Sequence, residues 1–118
     1  MLMDIYHIWC NLKDGVTDSE FVDRARSYLS YLEKNEMIAG FRVTRRKLGL
    51  GPSHLAEFHL MLEVRDLAQL DKAFGHVASR RDPVESLHHA VNSLVCDVSF
   101  ALYRDFPDPV RHRGDERF

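Results

Sequence analysis

Glu57-Phe58-His59-Leu60-Met61-Leu62-Glu63-Val64, residues 57–64, changes side-chain character at almost every step. Phe58, Leu60, Leu62 and Val64 point one way, and Glu57, His59, Met61 and Glu63 point the other. Successive side chains of a strand leave opposite faces, so this period of two marks a strand with one core face. Upstream, Phe41 and Val43 alternate with Arg42 and Thr44, which predicts a second one-sided strand. Gly49-Leu50-Gly51-Pro52-Ser53 lies between the two and is rich in turn residues. The pair is expected to form a long hairpin.

Working outward, Ile5-Tyr6-His7-Ile8-Trp9-Cys10-Asn11-Leu12 carries large side chains on both rows, as expected of a central strand covered on both sides. Thr17 or Asp18 can cap the helix that follows, whose stripe is Phe21, Ala25, Tyr28, Leu29 and Leu32 and which ends near Asn35. After the hairpin, Asp66 can cap a second helical region with the stripe Leu67, Leu70, Phe74 and Val77. Pro83 lacks a donor and should interrupt it, leaving a further helical piece with Val84, Leu87, Val91 and Leu94. A last strand runs through Asp97–Tyr103, with Val98, Phe100 and Leu102 as its apolar row. One domain is expected over residues 1–105, and the charged, proline-containing segment 106–118 reads as a tail.

The order is β-α-β-β-α-β, the split βαβ or ferredoxin-like arrangement of an α+β protein. Right-handed crossovers put the helices on one face of a four-stranded antiparallel sheet. Tyr6, Ile8, Cys10 and Leu12 are the more apolar row of strand one and are assigned to the helices. The open face then collects His7, Trp9, Asn11, Arg42, Thr44, Glu57, His59, Met61, Glu63, Ser99, Ala101 and Tyr103. Such a mixture of rings and charges suits a partner sheet or an organic ligand better than bare solvent. Two such sheets placed face to face would close a barrel.

Bulk composition narrows the classes. The chain has 118 residues, 45% hydrophobic and 29% charged, enough for one core. With 16 basic against 18 acidic residues the net charge is −2, so no excess of cations exists to release counterions from nucleic acid. No stretch approaches the roughly 20 apolar residues of a membrane span, and no basic region followed by an apolar run opens the chain. The cytoplasm is the expected location, with neither nucleic acid nor membrane as partner. Cys10 and Cys96 sit among apolar neighbours without ligand spacing and read as two reduced, buried thiols.

The element order, the strand Ile5–Leu12 and the strand Val98-Ser99-Phe100-Ala101-Leu102-Tyr103 make residues 4–104 resemble the dimeric α/β-barrel superfamily. That group holds stress-responsive barrel proteins, antibiotic-biosynthesis-type monooxygenases and haem-degrading monooxygenases. The resemblance implies a homodimer with a ligand cavity either between each sheet and its helices or inside the barrel. It also implies cofactor-independent oxygenation or isomerisation of a small, flat organic molecule. On that reading His59 is the acid/base, since imidazole titrates near neutral pH, and Glu57 or Glu63 orients it. His7 lies on the neighbouring strand and can come close. Trp9 is a stacking wall, Asn11 and Tyr103 are hydrogen-bonding groups, Arg42 is an anion anchor, and Met61 lines the same surface.

The residues leave two other readings open: a non-catalytic metabolite-binding or stress-response barrel, and a structural dimer whose mixed face is filled by partner side chains. His7 and His59 with Glu57 or Glu63 offer imidazole and carboxylate ligands, but the seven histidines make no tight metal motif, and no metal is expected. The haem-degrading branch uses an Asn, a Trp and a His. Asn11 and His76 occupy similar places, but no Trp follows Trp9, so that pattern is broken and no cofactor is expected.

Overall fold

The alternating segment forms hydrogen bonds along both its sides in the computed structural model, which describes residues 2–107. The elements are β1 (Asp4–Leu12), α1 (Asp18–Lys34), β2 (Gly40–Arg45), β3 (Phe58–Val64), α2 (Leu67–Ala78), α3 (Val84–Asn92) and β4 (Val95–Arg104). The four strands make one antiparallel sheet in the order β2-β3-β1-β4, so the two strands of each β-α-β half are interleaved. This is the ferredoxin-like α+β fold anticipated from the element order. From residue 108 onward, the expected tail lies outside the described residues.

Local chemistry sets the helix boundaries. Thr17 Oγ1 accepts the Glu20 N–H at 3.2 Å, and Asp66 Oδ1 accepts the Gln69 N–H at 2.8 Å. Each side chain satisfies a donor that has no partner inside its own helix. Phe21, Ala25, Leu29 and Leu32 of α1 are buried against Phe58, Leu60, Leu62 and Val64 of β3 and Cys10 of β1 in one apolar cluster. Pro83 separates α2 from α3 at the expected place.

Three expectations need correction. The buried face of α2 is Gln69, Leu70 and Ala73, whereas Leu67 and Phe74 are 49% and 47% exposed. Gln69 explains the rotation: its Oε1 accepts the Arg65 N–H at 2.8 Å and its Nε2 donates to the Glu36 carbonyl at 3.0 Å, which turns that side inward. The apolar row of β4 shares the helix-side surface, with Phe100 opposite Ile8 and Leu102 opposite Tyr6. Yet Val98, Phe100 and Leu102 are 40%, 59% and 51% exposed, because β4 is an edge strand and the helices pack mainly over β2 and β3. Finally, Cys10 is buried but Cys96 is only half-buried; both are free thiols.

Candidate functional site

Cross-strand register decides which side chains share the open face. Trp9 is opposite His59 and Ser99, His7 opposite Met61 and Ala101, and Ile5 opposite Glu63 and Tyr103. On β2, Thr44 is opposite His59 and Arg42 opposite Met61. Directly opposed residues of an antiparallel pair project from the same face. Trp9, His59 and Tyr103 therefore lie on one surface, away from the helices, together with His7, Met61, Glu63 and Arg42.

The rings on this surface touch one another. Trp9 stacks on His59 with centroids 4.5 Å apart and planes 7° from parallel, and His7 stacks beside Trp9 at 5.5 Å. Tyr103 meets the His7 ring edge-on at 4.9 Å. His7 Nδ1 and His59 Nε2 share a hydrogen bond of 2.8 Å, while His7 Nε2 is buried with no partner among the described residues. Burial pushes both imidazoles below the usual histidine range, and at His59 the neighbouring His7 adds to the shift. A low-dielectric site disfavours the charged form of each ring.

Other residues named for this site are drawn elsewhere. Glu57 does not orient His59; its Oε2 accepts from Arg45 Nε at 2.7 Å, and Arg45 also reaches Asp18 at 2.9 Å. His59 takes its ring partner from His7 instead. Asn11 lies beyond a register shift after Trp9, where its Oδ1 accepts the Glu57 N–H at 2.9 Å and its Nδ2 donates to Asp97 at 3.1 Å. His76 engages the Tyr31 hydroxyl at 3.0 Å, tying α2 to α1. Among the described residues no group of three or more His, Cys, Asp or Glu side chains is placed to hold a metal ion.

A second feature lies on the opposite side of the sheet. A cavity of about 260 Å³ sits between the sheet and the helices, lined by Tyr6, Ile8 and Cys10 of β1, Ala25 and Tyr28 of α1, Ala73 and Phe74 of α2, His88 of α3 and Phe100 of β4, among others. Its lining is almost wholly apolar and includes no Asp, Glu, Lys or Arg. Phe74 and Phe100 flank Tyr6, one edge-on at 5.2 Å and one stacked at 5.7 Å, and their exposure marks the mouth. Tyr28 packs against His88 at 5.5 Å. Burial raises the Tyr6 phenol and, with Tyr6 beside it, pushes Tyr28 up to about 12. Burial, then Cys96, pushes the Cys10 thiol up to about 11, so it is not a thiolate nucleophile at neutral pH. Sequence reading put Tyr6 and Tyr28 on core-facing rows but named neither as a site residue; the available signal was a hydroxyl on each otherwise apolar row.

A four-stranded antiparallel sheet with helices on one face, a ring cluster on the other and an apolar chamber between the layers defines a ferredoxin-like α+β protein. The chain belongs to the family described as "Family of unknown function (DUF6614)", whose model matches residues 3–118. No curated protein matches it. Among solved structures, it is similar to a hypothetical Arabidopsis thaliana protein at 10% identity, with 90% of each chain covered and a TM-score of 0.67. SnoaB, a cofactor-independent oxygenase from Streptomyces nogalater, is similar at 7% identity, with 93% of this chain and 97% of that chain covered and a TM-score of 0.63. A dimeric ferredoxin-like protein of unknown function from Jannaschia is similar at 10% identity, covering 86% and 96%, with a TM-score of 0.61. At these identities the likeness is one of fold. No helix among the described residues is long and apolar enough to cross a membrane.

Proposed function

We propose that the chain forms a homodimer through the open face of its sheet and binds a small, flat organic molecule between that sheet and its helices, where it oxygenates or isomerises the molecule without a cofactor. The observation that carries this reading is the apolar cavity of about 260 Å³. An apolar cavity of about 150 Å³ already takes up benzene, and drug-sized pockets begin near 300 Å³, so a ligand of two or three fused rings suits the space. The dimer is supported by the ring cluster of His7, Trp9, His59 and Tyr103, which a second sheet would cover, and by the dimeric Jannaschia protein of similar fold. SnoaB, a cofactor-independent oxygenase, is an example of such chemistry hosted on a similar fold. Free Cys10 and Cys96 fit a reducing compartment, the cytoplasm.

Tetralin, a two-ring hydrocarbon, should bind the purified protein and raise its melting temperature. A screen of flat phenols and ketones, with no flavin or metal added, should find one that consumes oxygen or isomerises on the enzyme. Binding without turnover throughout the screen would favour a non-catalytic metabolite-binding barrel.

A second reading keeps proton transfer on the open face, and the 2.8 Å contact between His7 and His59 favours it. There His59 is the acid/base, Trp9 the stacking wall and Arg42 the anion anchor, with the ligand held between the two sheets of the dimer. His59→Gln would then abolish turnover in an intact dimer, while Tyr28→Phe would leave it unchanged. The reverse pattern places the chemistry in the chamber beneath the helices.

A further inference from the structure

Tyr6 and Tyr28 are the two phenols among the residues that line a cavity whose other walls are mostly hydrocarbon. Neither hydroxyl makes a hydrogen bond among the described residues. The polar side chains at the α3 wall, His88 and Asn92, do not bond to them either, although the His88 ring packs against Tyr28. A phenol carries one proton to donate and two lone pairs to accept with. Once a ligand displaces water from the chamber, a lone pair left idle is tolerated more readily than a donor proton left without an acceptor. The group that completes such a site is therefore an acceptor oxygen.

The same walls limit the ligand's charge. No Lys or Arg lines the chamber, so a carboxylate or phosphate would meet no fixed positive charge there, and no Asp or Glu lines it to hold a cation. A phenol is neutral and able to donate at physiological pH, and burial moves both of these further from ionising.

We propose that the chamber selects neutral, flat carbonyl compounds, whose oxygen takes a hydrogen bond from Tyr6 or Tyr28 while the rings lie against the apolar walls near Phe74 and Phe100. This rests on the reading of the cavity as the ligand site, and it adds the substrate class.

Three probes of one shape separate the two claims by titration calorimetry: tetralin, 1-tetralone and tetralin-1-carboxylate. 1-Tetralone has no alkene conjugated to its carbonyl, so it offers the Cys10 thiol in the wall no Michael acceptor. In the wild type both neutral probes bind and the carboxylate binds weakest. In the Tyr6→Phe/Tyr28→Phe variant the preference for tetralone over tetralin drops about tenfold, and tetralin affinity changes by less than about twofold. Retained tetralin binding also reports that the variant keeps its chamber. A preference unchanged by the double substitution, or a carboxylate that binds as well as the ketone, overturns the selectivity while the chamber stands. Failure of both neutral probes to bind the natively folded wild type overturns the chamber reading and the selectivity with it.

Discussion

His7 and His59 meet ring nitrogen to ring nitrogen, Nδ1 to Nε2, at 2.8 Å. They are not directly opposed: His7 is paired with Met61 and Trp9 with His59, so the imidazoles meet along a diagonal, and the indole stacks on both. One N–H proton serves the contact. Protonating both rings makes both nitrogens donors, which breaks the bond and sets two cations side by side.

This gives stability a definite pH dependence. Burial lowers both histidines in the folded chain, whereas the unfolded chain takes up protons near pH 6.5. Below that pH the unfolded state binds more protons, so stability is full above about pH 6.5 and falls as pH drops through the lower folded values. Urea midpoints at pH 7.5 and 5.5 should differ more for the wild type than for His59→Gln. Equal pH dependence in the two proteins would remove the pair as its source.

The ring face should be an interface between two copies. Sedimentation of the wild type is expected to give a two-chain species. Trp9→Arg places an unpaired charge at the centre of that face and should give a one-chain species with unchanged far-UV circular dichroism. A wild type that sediments as one chain contradicts the dimer.

Filling the chamber should uncouple binding from folding. Ala73 lines the cavity and is buried. Ala73→Leu adds volume where space exists, so stability should hold or rise by up to about 1 kcal/mol. Tetralin affinity should fall more than about tenfold, because the ligand and the new side chain compete for the same space. Unchanged tetralin affinity would move the ligand elsewhere.

Asp4 and Arg104 should respond unequally to truncation. They pair across the start of β1 and the end of β4, with Asp4 at 3% exposure and the Arg104 side chain at 42%. Arg104→Ala strands a buried carboxylate and should cost about 2–3 kcal/mol, at or below the lower end of the roughly 3–5 kcal/mol for broken buried pairs because Arg104 is half in water. Asp4→Ala leaves a guanidinium that water can reach and should cost less. Denaturation of the two variants at pH 7 compares them directly; the opposite order would show that the arginine's packing outweighs the pairing.

Strand sidedness was legible because it rests on comparing two rows of one segment. Tyr6, Ile8, Cys10 and Leu12 outrank Ile5, His7, Trp9 and Asn11 in apolar character, and they do face the helices. The cap at Thr17, the cap at Asp66 and the break at Pro83 were equally local. The rotation of α2 was not, since Gln69 is held inward by Glu36, thirty-three residues away in the chain. Nor was the partner of His59: Glu57, two residues away on the same face, is taken by Arg45, and His7 arrives from another strand.

The sequence by itself determined the element order, the antiparallel sheet, and which residues gather on each of its faces. Each of these follows from a periodicity of two or 3.6 read within a single segment. Only the tertiary structure decided that the helices stop short of β4, which leaves Phe100 at the mouth of a chamber and Tyr6 and Tyr28 inside it. Where one layer sits on another is a matter of fit between distant surfaces, and no local pattern records it.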